Sequence, residues 1–284
     1  MKKQKNSSAW MALPLYIFTI VFVICPLLYV VALSFATPNR GYGVTWKFTL
    51  DNYKNILEPV YLNTFVESLK LALTSTAAIV LIGYPFGYFM AKLPEHRKKK
   101  AHLLLTIPFW VNSLIRLYGW IIILQKKGLL NFVLMKLGLI KKPLAILYSY
   151  PAIVVGMIYI LLPFMIMSVY SSAEKLDWSY VEAARDLGAS RVQAFFTVTL
   201  KLTLPGLLSG VILTFVPSMG LFFIADILGG NKIVLVGSLI QDQMTRGSNW
   251  PFAAALAVVM MVLTTVMIMI YRKVSNAREL EGIG

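Results

Sequence analysis

The sequence predicts an all-α integral membrane protein with six transmembrane helices, and three observations carry that reading. Of its 284 residues, 58% are hydrophobic and only 14% charged, against about 25% charged in an ordinary soluble domain. Five stretches, 11–36, 71–91, 143–173, 202–225 and 247–271, contain no Asp, Glu, Lys or Arg, and crossing a bilayer takes about 20 apolar residues in a helix. A sixth, 101–124, is interrupted by Arg116 alone among those four residue types.

The first helix follows the basic start "MKKQK". Its apolar run exceeds the roughly 7–15 residues of a secretory signal core, so it is expected to be retained as a span. "TPNRGYG" then supplies loop punctuation, and Thr49 or Asp51 is placed to cap a short helix in "FTLDNYKNIL". The second helix ends at "EHRKKK", a dense basic anchor. In the third, Arg116 is expected to pair with an acid, because an ionised group at membrane depth needs a partner. Residues 126–143 carry apolar positions at helical spacing between lysine pairs and read as an interfacial helix. Pro85, Pro108, Pro151, Pro163 and Pro217 predict kinks or breaks in the spans that contain them.

Lys and Arg are enriched in cytoplasmic loops beside spans. Their distribution places both termini in the cytoplasm and divides the chain into an N-terminal segment 1–10, a membrane domain 11–272 and a tail 273–284. The formal charge of +15 suits anionic lipid headgroups of the bilayer. It does not suit a nucleic acid, since the basic residues flank spans and are not interleaved with stacking aromatics on one soluble face. Cys25, the sole cysteine, leaves no internal disulfide and no thiol metal site. No cofactor is implied. No G-x-x-x-x-G-K-[ST] phosphate loop occurs, and "GGNK" at 229–232 lacks its spacing. This chain is therefore no ATP hydrolase, and the spans hold no pairing of nucleophile and base.

One segment breaks the apolar pattern. Between the fourth and fifth helices, residues 174–205 include "SYVEAARDLGASRVQAFF". Asp177 is placed to receive the free N–H groups at the start of a helix, Gly188 to end it in a left-handed cap, and Ser190 with Gln193 to open a second helix by a capping box. The expected result is two short helices meeting at a glycine corner. Glu182 and Asp186 share one face of the first, beside the small Ala183 and Ala184 and the basic Arg185.

"EAARDLGAS" resembles the EAA loop of bacterial ABC-importer permeases, with Glu182, Ala183, Ala184 and Gly188 matching and Lys201 standing where that family has proline. "TIPFWVNSLIRLYGW" and "YILLPFMIMSVYSSAEKLD" extend the likeness, to the permease subunits of spermidine/putrescine importers. The resemblance implies a type I ABC-importer permease fold in the bacterial inner membrane. It implies that Glu182, Ala183, Ala184, Arg185, Asp186 and Gly188 dock an ATPase subunit, expected in two copies. It also implies a second permease as heterodimer partner and an extracytoplasmic polyamine-binding protein.

A polyamine pathway calls for carboxylates and aromatic faces. The candidates are Glu67, Trp110, Asn112, Ser113, Tyr118, Trp120, Phe222, Phe223 and Asp226. A permease for another small solute and an ion-coupled secondary transporter remain open alternatives; the latter predicts discontinuous helices and an inverted repeat.

Overall fold

A computed structural model describes residues 13–39 and 43–281, with the side chains of 272 and 274–281 left out of the description. The segment 1–10 lies outside the described residues, as do 40–42 of the "TPNRGYG" loop. Among those described, six segments are long and apolar enough to cross a membrane: Leu13–Ser34, Pro59–Ala91, Ser113–Lys136, Tyr150–Glu174, Arg191–Gly220 and Trp250–Tyr271. The chain divides into two compact units, Met1–Asn63 with Leu239–Val266, and Thr64–Ser238 with Met267–Gly284.

In the first unit, helix α1 (Leu13–Ser34) is followed by a two-residue antiparallel ribbon, β1 (Thr37–Pro38) and β2 (Val44–Thr45). Helix α2 (Asp51–Ile56) has Leu50 at its N-cap with no side-chain cap bond, so neither Thr49 nor Asp51 caps it as expected; Thr49 Oγ instead accepts the Asp51 N–H at 3.1 Å in a turn just before the helix. The buried Asn52 amide donates to the carbonyls of Ser34 and Ala36, both at 2.9 Å, which satisfies acceptors that the end of α1 leaves open. Tyr61 packs against Phe252 with ring centroids 4.8 Å apart and planes tilted by 59°.

The second unit is built round α7 (Tyr150–Glu174). Its buried residues Ile153, Met157, Leu161, Met165 and Val169 recur every four positions, so they form one continuous stripe. Helix α3 (Pro59–Ala91) and helix α9 (Arg191–Gly220) each meet that helix through a pair of glycines four residues apart. A Cβ on Gly83 would stand 2.6 Å from Met165 Cγ, and one on Gly210 2.6 Å from Met165 Sδ. A Cβ on Gly87 would stand 2.7 Å from the Ile166 carbonyl oxygen, and one on Gly206 2.7 Å from that of Ser168. Small residues at this spacing let membrane helices approach backbone to backbone. Helix α10 (Phe222–Gly229) closes the core, with Ile224 and Leu228 set against Gly156 of α7.

The third crossing, expected over 101–124 with a kink or break at Pro108, is broken there, and its apolar span runs instead over Ser113–Lys136. Helix α4 (Glu95–Thr106) passes into a 3₁₀ turn, Ile107–Trp110, and stops at an extended Val111. Helix α5 (Ser113–Leu124) restarts with Asn112 Oδ1 accepting the Leu114 N–H at 2.8 Å. Pro108 and the Asn112 cap together explain the break: one removes a donor, the other offers the next helix a start. Twelve residues rise about 18 Å, short of the roughly 30 Å hydrocarbon core, so this crossing is assembled from more than one piece. Helix α6 (Leu129–Lys136) occupies part of the expected interfacial segment. Its buried Asn131 amide donates to the Leu144 carbonyl at 2.9 Å and accepts the Leu144 N–H at 2.8 Å.

Elsewhere helices run through Pro85, Pro163, Pro205 and Pro217 without interruption. Helix α8 is Ser179–Asp186 and α11 is Val236–Thr245. Helix α12 (Trp250–Glu281) continues from the last span into the segment expected as a tail.

Candidate functional site

The polar loop after α7 is built from local signals. The Asp177 carboxylate accepts the Ser179 N–H at 3.0 Å and starts α8; that bond holds its carboxyl below the usual carboxylate range. At the other end Gly188 takes φ +92°. Its N–H donates to the Arg185 carbonyl at 2.9 Å, and the Ala189 N–H donates to the Ala184 carbonyl at 3.1 Å. These two bonds form a Schellman cap, which requires the left-handed residue that glycine provides. Ser190 then opens α9 by the expected capping box: Ser190 Oγ accepts the Gln193 N–H at 3.2 Å, and Gln193 Oε1 accepts the Ser190 N–H at 2.9 Å.

The corner presents a face. Glu182, Ala183, Arg185, Asp186 and Gly188 are exposed and Ala184 is half-buried. Glu182, Arg185, Asp186 and Arg191 line a polar hollow, and Leu187, next to Asp186 in the chain, is 89% exposed. A large aliphatic side chain left in solvent beside alternating charges is the composition of a contact surface. Lys201, at the family's proline position, lies inside the continuous α9. The irregularity in that helix comes earlier, as a π-turn over Phe195–Thr199.

Behind the corner lies a support that sequence reasoning missed. Trp178 and Phe195, at the two legs of the loop, each pack on Tyr88 of α3 with ring centroids 5.8 Å apart. Tyr84 joins them, 5.9 Å from Phe195. The Thr203 hydroxyl gives its hydrogen to the Thr199 carbonyl at 2.8 Å, so in the 2.8 Å contact between Tyr84 and Thr203 the tyrosine donates. Lys92 Nζ sits 4.3 Å above the Tyr88 ring and 4.6 Å above Trp178. Nearby, Lys98 bonds to Glu95 at 3.0 Å and to Glu174, the last residue of α7, at 3.3 Å. These carboxylates, Glu95 foremost, raise its pKa and keep it charged. The sequence signal was present as "YFMAKL" and "LDW", but nothing in one dimension relates them.

The nine pathway candidates are placed as follows. Glu67 is held by Lys70 at 2.7 Å. Asp226 is half-buried and accepts the Ser238 hydroxyl at 3.0 Å. Trp110 is 79% exposed and Tyr118 is exposed, Asn112 caps α5, and Ser113, half-buried, begins it. Trp120 packs edge-on to Tyr159 at 5.5 Å, and Phe222 and Phe223 pair at 6.3 Å. A cleft of about 560 Å³ between α4, α7 and α9 is lined by Phe109, Phe164, Ser168, Ser171, Ser209 and neighbours, and by none of the nine.

Arg116 departs from expectation. Its guanidinium lies 5.9 Å from the Phe109 ring and 5.4 Å from that of Tyr159, and among the described residues no carboxylate reaches it. A guanidinium, planar and weakly hydrated, is drawn to aromatic ring faces. No group of three or more metal-ligating side chains occurs among the described residues.

Comparison with known proteins agrees with this architecture. Residues 6–279 match the family described as "Binding-protein-dependent transport system inner membrane component". The chain is 44% identical over 257 residues to the spermidine/putrescine transport system permease protein PotB of Salmonella typhimurium strain SL1344, covering 90% of each chain. It is 43% identical to PotB of Escherichia coli K12, covering 90% of this chain and 94% of that one. Its fold is shared by a chain of the bacterial alginate ABC transporter crystallised with an alginate pentasaccharide-bound periplasmic protein. That match has a TM-score of 0.74 and 16% identity, covering 97% of this chain and 96% of the other.

Proposed function

The chain belongs to the family of binding-protein-dependent transport system inner membrane components, and on that premise we propose that it is the permease subunit of an ATP-driven importer of polyamines. Membership makes it a multi-pass inner membrane transport component and not an enzyme. The single observation that carries the choice of cargo is its likeness to the PotB permeases over nine-tenths of both chains.

In this reading a second permease pairs with the chain to enclose the path, and two copies of an ATPase subunit bind below. A polyamine-binding protein delivers cargo from outside. The N- and C-termini lie in the cytoplasm, with "EHRKKK" and the polar corner on that side. Glu182, Ala183, Ala184, Arg185, Asp186 and Gly188 form the ATPase contact: the alanines allow close approach, and the charged side chains fix register. The exposed two-helix corner is what supports this assignment.

Transport requires the cargo to meet counter-charge in a low-dielectric passage, where one carboxylate about 4 Å from an ammonium is worth roughly 4 kcal/mol at an effective dielectric of 20, before desolvation is subtracted. Asp226 is the proposed carboxylate and Phe222 and Phe223 the aromatic faces. Glu67, Trp110, Asn112, Ser113, Tyr118 and Trp120 are proposed as the rest of the lining. The broken third span is a feature shared with ion-coupled transporters, but family membership favours ATP as the energy source. The experiment is ATP hydrolysis by the complex reconstituted in liposomes. Stimulation by spermidine-loaded binding protein supports the proposal. No stimulation by spermidine or putrescine, with stimulation by another solute, would reassign the cargo and leave the permease role standing.

A further inference from the structure

We propose that Lys92, with Tyr88 of α3 and Trp178 and Phe195 of the loop, forms a latch that makes the polar corner and α3 move as one body. These are positioning residues: they touch neither cargo nor nucleotide. The inference rests on the coupling role proposed above and adds the element to which the corner's motion is passed.

The argument is geometric. A loop that only docks needs an exposed face; a loop that transmits displacement needs stiff attachment. Here both legs converge on a single tyrosine, Trp178 from the way in and Phe195 from the way out, each 5.8 Å from the Tyr88 ring. Lys92 covers Tyr88 and Trp178 together, within the distance at which an ammonium is drawn to a ring face. Among the described residues it makes no ion pair, so the rings are its partners.

Beneath it, Tyr84 donates to Thr203, tying α3 to α9 just past the π-turn of Phe195–Thr199. A π-turn spaces its hydrogen bonds one residue wider than an α-turn and is frequently found at functional sites. On the α9 side the loop continues from Phe195 into the wider π-turn, while on the α3 side two rings and an ammonium hold it to Tyr88. Displacement of the corner passes preferentially to α3, which runs 33 residues to Pro59.

The test uses the assembled complex carrying Cys25→Ser, with spin labels at Ser179 on the loop and Leu81 on α3, both exposed. Distances are measured with and without ATP. In the latched chain the interval keeps one value in both states. Lys92→Gln, at an exposed position that should not disturb folding, is expected to raise the population at a second distance about fivefold, the effect of losing two cation–π contacts. It should also raise ATP hydrolysed per cargo transported while the ATPase subunit stays bound. Lys92→Arg keeps the charge over the rings and should restore both values.

A single unchanged distance in Lys92→Gln, or failure of Lys92→Arg to rescue, overturns the latch and leaves the coupling role intact. Loss of the ATPase subunit from Lys92→Gln also overturns it, because the residue would then serve docking. A parent complex that retains no ATPase at all overturns the coupling role itself, and the latch with it.

Discussion

The half-buried Asp226 carboxylate of α10 accepts the Ser238 hydroxyl of α11 at 3.0 Å. That bond joins the middle of one short helix to the first turn of the next, so Asp226 has a structural duty as well as a proposed one in transport. Asn keeps the acceptor oxygen and removes only the charge. Asp226→Asn is expected to leave assembly intact and lower polyamine uptake about tenfold, equivalent to about 1.4 kcal/mol. Asp242→Asn, whose carboxylate faces solvent beside Arg246 at 3.5 Å, should change uptake less than twofold or so. Equal uptake by both variants at matched abundance would leave Asp226 with the turn alone.

Gly188 offers a cleaner dissection, because a Cβ there would meet nothing within 4 Å although φ is +92°. Only backbone conformation opposes a side chain. Gly188→Val should cost about 1–2 kcal/mol locally and release the ATPase subunit on detergent washing. Gly188→Asn, which tolerates the left-handed region, should retain it. Equal retention by Val and Asn would show that the corner does not need its Schellman cap.

At Gly206 the obstacle is a neighbour. A Cβ would fall 2.7 Å from the Ser168 carbonyl oxygen, which cannot move without shifting α7. Gly206→Ala is expected to destabilise by about 1–3 kcal/mol, read as a lower melting temperature of the purified chain. Gly119→Ala, where a Cβ meets nothing within 4 Å, should be neutral or stabilise by about 0.5–1 kcal/mol, since glycine within a helix is entropically unfavourable.

Topology is open to direct labelling. In a Cys25→Ser background, cysteines at Lys98 and Glu182 should react with a membrane-impermeant maleimide only after permeabilisation, and those at Lys54 and Asp242 in intact cells. Reaction at position 182 from outside would invert the proposed orientation.

What was legible in the sequence divides along chain distance. The Asp177 bond to the Ser179 N–H and the caps at Gly188 and Ser190 are set by residues within five positions of one another, and each stands where local chemistry predicts it. The break in the third span was also written locally: Pro108 predicted it, while the cap that Asn112 offers ahead of Ser113 was not anticipated. The tie from Tyr84 to Thr203 spans 119 residues and that from Ser68 to Val236 spans 168. Such contacts depend on which helix lies beside which, and a periodicity does not contain that. Arg116 differs for another reason: a charge at membrane depth was expected to meet an opposite charge, whereas among the described residues its guanidinium lies beside two rings.

Met165 stands between Gly83 and Gly210, its Cγ facing one and its Sδ the other. A close contact among three helices is thus occupied by an unbranched, polarisable side chain with three rotatable bonds. A branched residue there would lock the three helices at one mutual angle. A thioether between two bare backbones works as a bearing: the neighbours can slide and rotate by small amounts while the side chain changes rotamer and keeps the gap filled. Met165→Ile should accordingly preserve thermal stability better than it preserves turnover, since what it removes is compliance.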